Sequence, residues 1–171
     1  MPSPTQNRWP RLNSTWFVGK TDRHTVRRCA RHVAQPFIAS LKIAGLHQNL
    51  IYFAYETQQK TGVKIGVQVY DLPQNLREDI SHHLYRIVQE AINNSIKHAS
   101  PSEIDIQLSA ISVSWCSLLT ITDFNTNGHF KGIGIKNMNA RVVSLNGIFE
   151  MTSTVGRGTN ILIKNIPVNF V

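Results

Sequence analysis

The stretch Leu84–His98, LYRIVQEAINNSIKH, limits what this chain can fold into more than any other segment. Leu84, Ile87, Val88, Ala91, Ile92, the small Ser95 and Ile96 recur at i, i+3, i+4 and i+7, the spacing of an amphipathic helix rather than a strand. At about 100° per residue, that stripe leaves Glu90, Asn94 and Lys97 together on a different face. A carboxylate can serve as a base, a carboxamide oxygen suits a hard cation such as Mg²⁺, and an ammonium suits phosphate. Together they are parts for handling a nucleoside triphosphate. Taken alone, the cluster fits a core helix with an ordinary solvated face better than a site.

The composition narrows the classes. A chain of 171 residues, 42% apolar and only 16% charged, has enough material for one domain with a packed core and is not globally disordered. Apolar runs are broken well short of membrane-spanning length, and the first residues lack the hydrophobic region of a signal peptide. Cys29 and Cys116 are too few for a disulfide framework or a cysteine metal site, so a reduced, cytoplasmic setting is expected. The formal charge of +8 raises nucleic acid as a partner. Its basic residues, however, gather in Arg8, Arg11, Lys20, Arg23, Arg27, Arg28 and Arg31 without a recognisable binding motif, so nucleic acid is not the expected partner.

Along the chain, residues 1–25 read as an irregular tail and residues 26–61 as a helical segment punctuated by Pro36 and Gly45. From residue 62 to 171 the pattern is that of a mixed domain. Val63, Ile65, Val67 and Val69 alternate as in a half-buried strand, and Asp71-Leu72-Pro73 forms a turn. Asn75 with Glu78 predicts a capped start to the central helix, which Pro101 stops. Glu103–Ser109 and Trp115–Thr122 read as a hairpin around residues 110–114. Asp123 stands at its exit, in Asp123-Phe124-Asn125-Thr126-Asn127-Gly128. Then come Lys131-Gly132-Ile133-Gly134 before a helix closing at Gly147, and two strands, Gly147–Ser153 and Thr159–Ile166, joined by Val155-Gly156-Arg157-Gly158-Thr159. Paired glycines ahead of a helix free backbone N–H groups to meet phosphate at its positive end.

In this order the motifs resemble the boxes of the ATP-binding catalytic domain of sensor histidine kinases. The string Tyr85–Asn94, with Lys97-His98-Ala99, looks like the N box of the subclass with a very short nucleotide lid, among the Bergerat-fold (GHKL) ATPases. The segment from Gly45-Leu46 to Thr61-Gly62 is similar to the family's passage out of its second dimerisation helix, of which Val26–Ser40 would be a remnant. The resemblance implies a two-layer α/β sandwich, a mixed sheet with helices on one face. It also implies ATP and Mg²⁺ as cofactors, with Glu90 polarising the attacking group, Asn94 holding the metal and Lys97 near the phosphates. Asp123 would accept a hydrogen bond from the adenine amino group, while Gly132, Gly134, Gly156, Gly158 and Thr159 would shape the pocket.

Two departures matter. Asn125 and Asn127 occupy positions where the family's box has glycines; asparagine tolerates positive φ but brings a side chain toward the ligand. The histidines His24 and His32 lack the acidic neighbour that follows the family's phosphoacceptor. The expected activity is therefore transfer of the ATP γ-phosphoryl group to a histidine on another chain or segment. A dimerisation or phosphoacceptor domain and a response regulator are the implied partners. The alternative is a non-catalytic nucleotide-binding or interaction module, and an anti-sigma-factor-type kinase of the same superfamily stands third.

Overall fold

A computed structural model describes residues 37–70, 72, 76–112, 115–123, 132–154 and 158–167. The tail, His24, His32, Asn75, residues 124–131 and Gly156 lie outside them, and the side chain of Asp123 is likewise undescribed. The elements run α1 (Phe37–Thr61), β1 (Lys64–Tyr70), α2 (Glu78–Ala99), β2 (Glu103–Ser112), β3 (Trp115–Asp123), α3 (Ile133–Ser144), β4 (Ile148–Thr154), β5 (Gly158–Lys164) and β6 (Ile166–Pro167).

One sheet of order β1-β2-β3-β5-β4 carries the fold, with β6 pairing the start of β3. It is mixed because β1 and β2 run parallel and therefore need a crossover connection, which α2 supplies. Every other pairing is antiparallel. The period-two pattern sends Ile65, Val67 and Val69 from β1, Ile104, Ile106 and Leu108 from β2, and Ile161 and Ile163 from β5 into one core. Leu84, Ile87, Val88, Ala91 and Ile92 of α2, Met138 and Val142 of α3, and Leu46, Leu50, Ile51 and Ala54 of α1 close it from the other side. Each fully buried isoleucine or leucine contributes roughly 1.5–3 kcal/mol of transfer free energy, so this single core holds the layers together. Away from the helices, the sheet carries polar side chains. Gln107 donates to Gln68 at 3.0 Å, the Tyr70 hydroxyl donates to the same oxygen at 2.7 Å, and Lys164 pairs with Glu150 at 2.7 Å. The architecture is the expected two-layer α/β sandwich.

Helix α1 breaks at Gly45, whose φ of 73° and ψ of 168° lie outside helical space and suit glycine. Asn49 restores a partner to the freed backbone by donating to the Gly45 carbonyl at 2.7 Å. From Leu46 onward the helix packs on α2, where Phe53 meets Tyr85 edge-to-face at 6.0 Å. Its end at Thr61-Gly62 is where the sequence puts it, and Gly62 donates back to the Gln58 carbonyl at 2.9 Å.

Two local expectations are corrected. Helix α2 starts at Glu78 with Arg77 at the N-cap and no side-chain cap, not with the Asn75–Glu78 box. Glu78 and Asp79 in the first turn face the positive helix end instead, and Arg77 grips Asp79 through two nitrogens at 3.1 and 2.5 Å. The last strand is not continuous to Ile166. Asn165 adopts a left-handed φ of 58°, so β5 stops at Lys164 and Ile166 turns to pair with Cys116.

Candidate functional site

Helix α2 places its apolar stripe as the spacing requires: Ile87, Val88 and Ile92 are wholly buried, and Ser95 nearly so. What the core does not take is left along one line. Glu90 and Asn94 are half-buried one turn apart, and Lys97 is exposed in the last turn. The Asn94 amide donates to Glu90 Oε1 at 3.2 Å, which fixes the amide orientation and leaves the carboxamide oxygen outside that bond.

The glycine motif meets this pair directly. Gly132 is the N-cap of α3, in extended backbone with open space around it. Gly134, on the first turn, sits hard against α2. A β-carbon there would run into Glu90 Oε1 and would lie 2.7 Å from Asn94 Nδ2 and 3.3 Å from Asn94 Oδ1. Only a residue without a side chain lets the first turn of α3 approach the two polar groups this closely. The structure thus joins Glu90, Asn94 and Gly134, which the sequence keeps far apart, while Gly132 stands off from the contact.

A second group assembles by register. β3 ends at Asp123, whose neighbours across the sheet are Ile104 on β2 and Thr159 on β5. Thr159 pairs in turn with Ser153 on β4, and their hydroxyls lie 3.1 Å apart. Thr159 is only 3% exposed. Gly158, just before it, takes a φ of 91° at the start of β5. Because α2 leads into β2, its carboxyl-terminal half and the start of β2 share one end of the sheet, the end at which Asp123 lies. Ser153 is the residue that sequence reading missed. The signal was available: Ser153 and Thr159 stand symmetrically about the turn of the last hairpin, and such positions face each other across two strands.

The site's chemistry is legible from these parts. A carboxylate and a carboxamide oxygen stand beside the positive end of a helix, with an ammonium one turn farther on. A single protein oxygen suits Mg²⁺, which keeps several waters and takes most of its other ligands from substrate phosphates. The residues present therefore fit a Mg²⁺–nucleotide at this place.

Solved structures that share this arrangement of helices and mixed sheet include histidine kinases. Full-length ShkA in complex with AMPPNP aligns over 85% of this chain and 36% of its own, with a TM-score of 0.59 and 14% identity. The Acinetobacter baumannii histidine kinase AdeS aligns over 82% of this chain and 76% of its own, at 0.55 and 12%. The chain shares the fold of histidine-kinase catalytic domains. In sequence, it is 29% identical over 134 residues to the sensor protein VraS of Staphylococcus epidermidis. That match takes in 75% of this chain and 37% of VraS, so the chain spans little more than a third of this sensor-kinase relative. No protein-family model matches the sequence.

Proposed function

We propose that this chain is the ATP-binding catalytic domain of a two-component sensor histidine kinase, passing the ATP γ-phosphoryl group to a histidine on another chain or on a segment outside the described residues. The observation that carries this reading is the seating of Gly134 against Glu90 and Asn94, which makes one site of a candidate base, a candidate metal ligand and a helix N-terminus. The likeness to VraS and the nucleotide-analogue complex of ShkA support it.

In this reading, Asn94 offers its carboxamide oxygen to Mg²⁺, and Lys97 stands beyond it toward the phosphates. Bound with the nucleotide, the metal ion neutralises charge on the phosphate oxygens. Glu90 accepts from the attacking imidazole and holds it in line, which is where most of the rate in phosphoryl transfer arises. Asp123 takes the adenine amino group, and Gly132, Gly134, Gly156, Gly158 and Thr159 shape the pocket. A dimerisation domain bearing the acceptor histidine and a response regulator are the partners this activity requires. Such a domain works on the cytoplasmic side, where ATP is supplied. Among the described residues, no helix is long and apolar enough to cross a membrane.

Calorimetric titration with ATP and ADP, with and without Mg²⁺, tests the reading. Binding that strengthens with Mg²⁺ in the native chain, and loses that gain in Asn94→Ala, is the expected result. No heat at millimolar nucleotide would overturn it. The asparagines at 125 and 127 favour a second reading, a nucleotide-binding module without transfer. It would be the better one if the chain binds ATP yet passes no label to a supplied phosphoacceptor domain.

A further inference from the structure

We propose that Ser153 is a positioning residue for recognition of a 6-aminopurine, acting through Thr159. The inference rests on the adenine-nucleotide reading above and assigns a group to it that the motifs do not contain. Thr159 lies in the interior at 3% exposure, and its hydroxyl lies 3.1 Å from Ser153 Oγ across the β4–β5 pair. On its other flank Thr159 is in register with Asp123, so three consecutive strands bring Ser153, Thr159 and Asp123 into one row. This row lies at the end of β3.

A threonine hydroxyl has one proton and two lone pairs, and its rotor is set by whichever neighbour claims them. Either hydroxyl can donate across this contact; Ser153 is exposed and can keep water on its own lone pairs, and in the proposed arrangement it is Ser153 that donates to Thr159 Oγ1. With that lone pair occupied, the Thr159 proton turns away from β4, toward the strand that ends at Asp123. There it is placed to donate to a purine ring nitrogen that is an acceptor in adenine but a protonated donor in hypoxanthine. Ser153 therefore governs discrimination between the two bases more than it governs affinity for phosphate.

The test is calorimetric titration of the full chain, its Ser153→Ala variant and its Ser153→Thr variant with Mg²⁺–ADP and Mg²⁺–IDP. Losing control of one neutral hydrogen bond should weaken ADP binding by about three- to ten-fold. IDP binding should change by less than about two-fold, so the ADP-over-IDP ratio falls, and Ser153→Thr, which keeps the hydroxyl, should restore it. Thermal melting without nucleotide reports whether the hairpin itself is damaged. Equal losses for both nucleotides, or an unchanged ratio in Ser153→Ala, would overturn the assignment while leaving the nucleotide-binding reading intact. Failure of the unaltered chain to bind ADP would overturn both.

Discussion

Gly134 touches Glu90 across the gap between α3 and α2 so closely that the smallest side chain would collide with the carboxylate. The carboxylate and the amide it contacts are hydrogen-bonded to each other, so displacing one displaces both. Position 134 is therefore a gauge of the site's geometry.

Gly134→Ala should weaken nucleotide binding about ten-fold, because its β-carbon must displace the Glu90 carboxylate and with it Asn94, a loss of about 1.4 kcal/mol. Gly132→Ala is the control for folding stability alone. Gly132 has extended backbone and nothing within 4 Å, so its replacement should leave stability within about 0.5 kcal/mol of the original. Titration of Gly134→Ala and denaturant unfolding of both variants check this, and unchanged nucleotide affinity in a folded Gly134→Ala would remove the geometric argument.

Gly147 is a packing position rather than a ligand one. A β-carbon there would meet Ile166 Cγ1 at 2.9 Å, Val142 Cγ1 at 3.0 Å and the Lys164 carbonyl at 3.1 Å. Backbone and buried branched side chains cannot retreat cheaply, so Gly147→Ala should destabilise the domain by about 1–3 kcal/mol. Urea unfolding measures it directly. An unchanged midpoint would mean that the α3–β4 turn yields without cost.

His47 makes stability depend on pH. Burial pushes its imidazole below the ordinary value of 6.5, and Nε2 has no hydrogen-bond partner. A base whose folded pKa is depressed binds its proton more readily when unfolded, so its stabilisation is full above pH 6.5 and is lost as pH falls through the folded value. His82 acts in the same direction, pushed down first by desolvation and then by Arg86, His83 and Arg141 against the opposing Glu78. Melting temperature should fall on acidification from neutral toward pH 5, about two units down, and His47→Leu should flatten part of that fall. A variant with the same pH dependence as the parent would clear His47 of the effect.

Ile92 tests the organising helix itself. It is fully buried between the sheet and the other helices, and Ile92→Ala removes volume that the surroundings refill only in part. A loss of about 2–5 kcal/mol is expected by denaturant unfolding. A smaller loss would show that the core around α2 collapses readily into the gap.

The sandwich was legible because its segments obey two clean periods. The stripe Leu84–Ile96 could only be helical, while Ile65, Val67, Val69 and Ile104, Ile106, Leu108 could only alternate. The partners of each strand were less legible: nothing local says that β5 inserts between β3 and β4, or that Asn165 bends the last strand onto Cys116. Such choices are made by packing between distant segments. The helix start misled because charge in the first turn, from Glu78 and Asp79, can stand in for a capping side chain. Within the site, Glu90 and Asn94 were readable from one helix face. The contact with Gly134 was not, since a glycine's closeness to a neighbour leaves no trace in its own segment. Ser153 lay in no motif, and only its position opposite Thr159 about the last turn marked it.

The sheet order has a kinetic reading. Between Glu90 and Gly134 the chain must complete the β2–β3 hairpin and return to α2, and between Asp123 and Thr159 it must pass through α3 and β4. Contacts so remote in sequence return free energy only after long loops have closed, which places them late in folding. The site proposed to hold nucleotide is thus expected among the last features to form. A ligand held there has no partly folded relative to favour, so its full binding energy acts on the fully assembled domain alone.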